Sequence, residues 1–280
     1  MNVYHRLHPY HRAAWSAAGF LATAYALLPV FWILSLSLKP AASLTDRKLW
    51  PDRVNLDNYR AIFADSQFPA ALANSLGIAG LSTELAILLA VFAAYALVRL
   101  DFPGKRAVLA VALAVAMFPP VSVIGPLFEL WRKLGLFDTW AGLVLPYMSF
   151  TLPLAIWTLT AFFREVPWEL ESAARVDGAT RFQAFRHAIL PLAAPGVFAS
   201  AILVFIFAWN DFLFAAALTS TNRARTVPAA IAFFTGSSQF ELPTGSIAAA
   251  SVVVTIPVLI LVLVFQRRII SGLTAGAVKG

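Results

Sequence analysis

The chain has 280 residues, of which 60% are hydrophobic and 12% charged. A soluble domain of this length carries about twice that share of charge, so the composition argues for a membrane protein. The net charge of +7 fits loops facing anionic lipid better than a nucleic-acid surface, and the absence of cysteine excludes disulfides and thiolate-ligated metals.

The N-terminus carries His5, His8 and His11, a spacing that can touch a metal. No carboxylate accompanies them, so they are read as a solvated segment beside the membrane and no metal is assigned. A membrane-spanning helix needs about 20 predominantly apolar residues. Residues 15–38, 107–128, 139–163 and 242–266 contain no charge, residues 72–98 contain only Glu84, and residues 193–218 only Asp211. The expectation is an all-α integral membrane protein of six transmembrane helices, forming one domain over residues 1–280. The first apolar run is too long for a secretory signal and is read as a retained helix. Residues 226–240 are apolar but too short to span, and are expected in an external loop.

Lysine and arginine set the orientation. Arg99, Lys105 and Arg106 crowd one short loop; Arg164, Arg175, Arg181 and Arg186 another; Arg267, Arg268 and Lys279 the C-terminus. This places both termini in the cytoplasm. The loop after the first helix opposes the bias with Lys39, Arg47, Lys48, Arg53 and Arg60. Within it, Leu56, Tyr59, Ile62 and Phe63 have helical spacing, predicting an amphipathic helix that lies on the membrane or on a partner.

Prolines interrupt several spans: Pro119, Pro120 and Pro126 in the third, Pro146 and Pro153 in the fourth, Pro257 in the sixth. Pro119-Pro120 in mid-span marks either an unwound pathway or a packed kink. Glu84, at mid-bilayer, is expected to face the bundle or a cavity. Trp209-Asn210-Asp211-Phe212 combines an aromatic ring with hydrogen-bonding groups, which suits a sugar or a polar contact between helices.

The polar interval of residues 164–191 is read as a helix–turn–helix. Pro167 opens a helix, Glu169 and Glu171 sit in its first turns, and Asp177-Gly178 closes it. Thr180 with Gln183 is a capping-box pattern that opens a second helix. Pro191 starts the return to the membrane. The exposed small pair Ala173-Ala174 invites close approach by another protein; an interfacial hairpin without a partner is the alternative.

This interval resembles the loop shared by permeases of ATP-binding-cassette (ABC) importers: Glu-Ala-Ala, three residues, Gly, nine residues, Ile-x-Leu-Pro. Ala173, Ala174, Gly178, Leu190 and Pro191 match in register, whereas Ser172 stands for the Glu and Ala188 for the Ile. Asn58-Tyr59 with Phe63, Asn74-Ser75-Leu76, Ala94-Tyr95-Ala96 with Arg99, and Gly135-Leu136 with Thr139 are similar to landmarks of the carbohydrate, maltose-permease-like branch. So are the Trp209–Phe212 cluster and residues 272–280 of the C-terminal tail, which spans residues 267–280. Across its whole length the chain is similar to the trehalose-importing actinobacterial members of that branch.

The resemblance implies the type I importer permease fold, a bacterial cytoplasmic-membrane location, and import of a sugar, a disaccharide such as trehalose or maltose. It implies a non-catalytic subunit with a second homologous permease, two ATPase subunits and an extracytoplasmic sugar-binding lipoprotein as partners. The ATPase would meet Glu169, Glu171, Ser172, Ala173, Ala174, Asp177, Gly178, Leu190 and Pro191, with Glu171 or Glu169 supplying the acid that Ser172 lacks. Gly276, Ala277, Val278 and Lys279 would reach it from the tail. The candidate pathway is Trp209, Asn210, Asp211, Phe212, Glu84, Pro119 and Pro120. The chain has no P-loop, since Gly104-Lys105 lacks both the upstream glycine and the following hydroxyl, so ATP and magnesium belong to the partner. A permease for another solute, or an ion-coupled carrier, remains the alternative.

Overall fold

The computed structural model describes residues 9–64, 66–234 and 243–275; His5, His8 and the tail residues Gly276, Ala277, Val278 and Lys279 lie outside them. The described residues are helical, without strands. They divide into two compact units, Met1–Ser66 with Phe234–Thr255, and Gln67–Phe233 with Ile256–Gly280.

The first unit contains α1 (Pro9–Ser37), α2 (Asp57–Ala64) and the beginning of α12 (Thr244–Ala275). α1 carries no charge beyond its first turn and exposes Trp15, Phe20 and Tyr25, a surface suited to lipid. α2 is the helix predicted after the first span. It is fastened by polar contacts: Asn58 Nδ2 donates to Ser37 O at 3.0 Å and Lys39 O at 2.8 Å, and the Tyr59 and Ser37 hydroxyls lie 2.8 Å apart. Lys39, counted above among the external cations, is fully buried and pairs with Asp46 at 2.6 Å. The hydrogen bond from Lys39 holds the Asp46 carboxyl below its ordinary pKa.

The second unit is built on α3 (Gln67–Arg99), α6 (Trp140–Glu165) and α9 (Leu190–Asn210), which pack on one another. Small residues make the close approach possible: Ala86, Ala90 and Ala94 on α3 meet Ala155 of α6 and Ala193 of α9 in one buried cluster. Gly196 of α9 lies against the Phe162 ring and Gly77 of α3 against the Trp140 ring, leaving no room for a Cβ. Pro146 and Pro153 leave α6 continuous.

Two expected spans are broken. In the third, α4 (Lys105–Ala116) ends before Pro119-Pro120 and α5 (Pro120–Leu134) leaves at 86° to it. Pro120 drives the preceding residue out of the helical region, and Pro119 accordingly has ψ 118°. Among the described residues, five helices are thus long and apolar enough to cross a membrane, or six if this bent pair is one span. The fifth expected span, residues 193–218, stops at Asn210; after Asp211 and Phe212, the short α10 (Leu213–Leu218) follows.

Part of the expected external loop is fastened to the bundle. α11 (Val227–Ala232) buries Val227, Ala229 and Ala230. Asn74 Nδ2 donates to Asn222 O at 2.9 Å and Arg225 O at 3.0 Å, and Ser75 Oγ accepts the Val227 N–H at 2.8 Å. Asp138 clamps the start of this segment by accepting the Ser220 and Thr221 N–H groups at 3.0 and 3.1 Å.

Gly196→Val is expected to lower stability by about 1–3 kcal/mol through overpacking against Phe162. Gly80→Val, whose Cβ would meet nothing within 4 Å, is the control and leaves it unchanged. The midpoint of thermal unfolding in detergent reads the difference.

Candidate functional site

The polar interval folds as α7 (Trp168–Val176), a tight turn, and α8 (Arg181–Ala184). Pro167 is the residue before α7, and Glu169 and Glu171 lie in its first turn. The helix ends in a Schellman arrangement: Ala179 N donates to Ala174 O at 2.9 Å and Gly178 N to Arg175 O at 3.1 Å. Gly178 has φ +91°, a conformation that costs glycine nothing. The capping box forms, with Gln183 N donating to Thr180 Oγ1 at 3.2 Å and Thr180 N to Gln183 Oε1 at 2.8 Å.

α8 is not a separate helix, as the sequence reading had it. It runs through a π-turn (Phe185–Ile189) directly into α9. Pro191 explains the π-turn. It has no N–H for the carbonyl four residues back, and its ring crowds that carbonyl, so the ladder opens by one residue. Leu190 N donates to Phe185 O. The second half of the hairpin is therefore the end of a membrane helix.

The two acids of α7 have different environments. Glu169 is exposed. Glu171 is turned into the protein, with 9% of its side chain exposed. Its Oε1 accepts the Tyr95 hydroxyl at 3.0 Å, and its Oε2 lies 3.5 Å from Arg99 Nε. Arg99 also donates to Val166 O at 2.7 Å and lies over the Trp168 ring, 4.4 Å from its centre. Glu171 thus holds α7 to the end of α3. Of the two acids offered for a docking contact, Glu169 is the one that faces outward. Ser172, Ala173, Val176, Asp177, Gly178 and Pro191 are exposed, while Ala174 and Leu190 are half-buried. Val176 is 87% exposed and Phe182 60%, giving the hairpin a bare apolar crest.

The polar cluster at the end of α9 divides as well. Trp209 is buried and stacks on Phe205 at 5.5 Å, so its ring is not open to a sugar. Asp211 Oδ2 accepts the Tyr147 hydroxyl at 2.8 Å and the Ala215 N–H at 3.1 Å, capping α10 and tying it to α6. Asn210 and Phe212 are exposed, and Asn210 Nδ2 donates to Ile206 O at 2.8 Å. Glu84 is exposed in the middle of α3, with no hydrogen bond or ion pair among the described residues. The elbow at Pro119-Pro120 frames an apolar cavity of about 550 Å³ bounded by Phe118, Leu127, Leu145 and Phe214. A sugar needs hydrogen-bonding walls, and this cavity does not offer them.

The sequence reading quoted Tyr95 and Asn74 as landmarks, Arg99 as a landmark and a loop cation, and did not single out Asp138. All four are fasteners. The signal available was a polar residue at the end of, or inside, an apolar span, which must find a partner.

Residues 86–274 match the family described as "Binding-protein-dependent transport system inner membrane component". The chain is similar to the trehalose transport system permease protein SugB of Mycobacterium tuberculosis, at 60% identity over 266 residues, covering 95% of this chain and 97% of that protein. It is also similar to the trehalose/maltose transport system permease protein MalG of Thermococcus litoralis, at 42% identity, covering 94% and 95%. In fold it matches a chain of a bacterial ABC transporter involved in import of the acidic polysaccharide alginate, with a TM-score of 0.77 at 22% identity, covering 93% and 98%.

Removing one partner of a buried ion pair costs about 3–5 kcal/mol. Glu171→Ala is expected to show a loss of that order and to open residues 164–191 to protease. Ser172→Ala, on the exposed side, should do neither. Thermal unfolding and limited proteolysis check both.

Proposed function

Because the chain belongs to the family of binding-protein-dependent transport inner-membrane components, we propose that it is a sugar permease subunit of an ABC importer that carries trehalose or a related disaccharide. The likeness to the trehalose permease over nearly the whole chain carries the choice of sugar. The crest of α7 supports the coupling role: it is apolar and exposed, and it is held rigidly from behind.

In this reading Glu169, Ser172, Ala173, Ala174, Val176, Asp177 and Gly178 seat in a groove of an ATPase subunit that binds ATP and magnesium. Leu190 and Pro191 carry the motion into the membrane, and residues 276–279 reach the same partner. Both termini and α7 face the cytoplasm. A second permease completes the pathway, and an external sugar-binding protein delivers the substrate. Asn210, Phe212 and Glu84 are the pathway residues whose side chains are open to it.

Three connections would transmit the movement of α7. The Glu171–Arg99 pair reaches α3. The short link at Val166-Pro167 reaches α6, and the continuous helix from Arg181 reaches α9. These are the three helices that form the packed core, so an ATPase that closes on α7 would tilt them together rather than bend one.

Val176→Asp is expected to reduce trehalose uptake and trehalose-stimulated ATP hydrolysis at least about tenfold, since a charge on a docking crest removes a contact of hot-spot size. The two permeases should still co-purify. Uptake of labelled trehalose by vesicles holding the whole transporter measures this, and wild-type uptake by the variant overturns the coupling role. Asn210→Ala should lower uptake while the ATPase stays bound; failure of the subunits to assemble would instead make Asn210 a packing residue. ATP-dependent uptake of another sugar, with none of trehalose, would overturn the substrate and leave the coupling role standing.

A further inference from the structure

A cavity of about 270 Å³ opens where α3, α4, α6 and α7 come together. Its wall carries Lys105, Arg106 and Arg164 beside the apolar Val98, Leu109 and Trp168. The charges are not balanced. Lys105 Nζ donates to Asp101 Oδ1 at 3.1 Å and to Leu100 O at 3.4 Å. Arg106 and Arg164 have no carboxylate partner among the described residues. The nearby Glu171 is already taken by Arg99, and Glu165 borders a different hollow.

A second feature favours an anion at this place. Lys105 and Arg106 are the first residues of α4, a helix of 12 residues whose N-terminal N–H groups have no side-chain cap. Free N–H groups and the helix dipole there attract negative charge. Arg106 and Arg164 are both exposed and open into this cavity, and their planar forks suit phosphate oxygens.

The remaining surface distinguishes a lipid from a free ion. Trp168 is 54% exposed on this wall, and tryptophan is enriched where a chain meets lipid headgroups. Leu97, Val98 and Leu109 line the same cavity as the basic groups, apolar surface that the glycerol and upper acyl carbons of a lipid would use and a free ion would not. We propose that this cavity holds the phosphate of an anionic glycerophospholipid between Arg106 and Arg164, with its glycerol and upper acyl carbons against Leu97, Val98 and Leu109. Basic pockets between membrane helices take such headgroups. The inference rests on membership of a membrane family and not on the sugar or the orientation.

The test uses the complete transporter in nanodiscs of mixed phosphatidylglycerol and phosphatidylcholine, released and weighed by native mass spectrometry. The wild type is expected to retain phosphatidylglycerol in preference to phosphatidylcholine. The Arg106→Gln/Arg164→Gln pair should lose one retained phosphatidylglycerol per copy of this chain, roughly thirtyfold weaker binding for two removed charges, with the subunit composition unchanged. If the pair does not assemble, Arg106→Gln alone gives the reading: partial loss supports the site, and wild-type retention overturns it. Three further outcomes overturn it. One is equal retention of both lipids by the wild type. Another is inorganic phosphate, added to phosphatidylcholine-only discs, binding this cavity as tightly as the anionic lipid. The third is loss of ATPase subunits from the variant with phosphatidylglycerol retained, which would make the cavity a protein contact. Sugar transport is not measured, so failure here is separable from failure of the proposed substrate.

Discussion

The contact on which the functional end of the molecule depends is the one between Arg99 and Glu171. A guanidinium at the end of α3 meets a carboxylate in the first turn of α7, with the Tyr95 hydroxyl on the other carboxylate oxygen. Two charges removed from water in this way need good geometry and further hydrogen bonds to be tolerable. Arg99 has one, from its Nη2 to Val166 O, and its guanidinium lies over the Trp168 ring, while its Nε and Nη1 have no hydrogen-bond acceptor among the described residues. Orientation is the result. α7 is too short and too polar to hold its place by burial alone, yet this pair fixes which of its faces is turned outward. Ser172, Ala173 and Val176 are presented because Glu171 is not.

The same economy governs the other polar residues of this unit. Asn74 holds the segment before α11, Asp138 clamps Ser220 and Thr221, and Asp211 caps α10 while accepting from Tyr147. Thr139 caps α6 by accepting the Gly142 N–H at 3.1 Å. In lipid an unsatisfied polar group costs several kcal/mol, so these side chains fasten non-helical backbone, while Thr83, Thr151 and Thr160 return their hydroxyls to the carbonyl four residues back in their own helix. Few are then left over. Asn210 and Glu84 are exposed after the fasteners are accounted for, which is why the proposed pathway rests on them and not on Trp209 or Asp211.

The two helix breaks share a cause in proline chemistry with opposite results. Pro119-Pro120 turns the chain by 86°, because two successive prolines leave neither the hydrogen bond nor the helical ψ needed to continue. Pro191 is absorbed by a single π-turn, so the helix goes on from Arg181 to Asn210. The first makes an elbow beside an apolar cavity. The second makes a rigid rod from the hairpin into the bundle, the mechanical property a coupling element needs.

Much of this was legible in the residues alone. The long apolar runs determined the membrane class, because about 20 such residues have no better place than a bilayer. Local chemistry determined α7, its glycine stop and the Thr180–Gln183 capping box, because capping bonds join residues only a few positions apart. The family register of Ala173, Ala174, Gly178 and Pro191 supplied the coupling reading. Only the tertiary structure could assign the charged and aromatic side chains. Nothing local tells whether Glu169 or Glu171 faces outward, whether Trp209 is open or buried, or that Lys39 is neutralised by Asp46. Those facts depend on partners that approach from other parts of the chain, Arg99 being distant in sequence from Glu171. A single sequence carries the spacing that makes a helix, but it does not carry the rotation of that helix about its axis, which long-range contacts set.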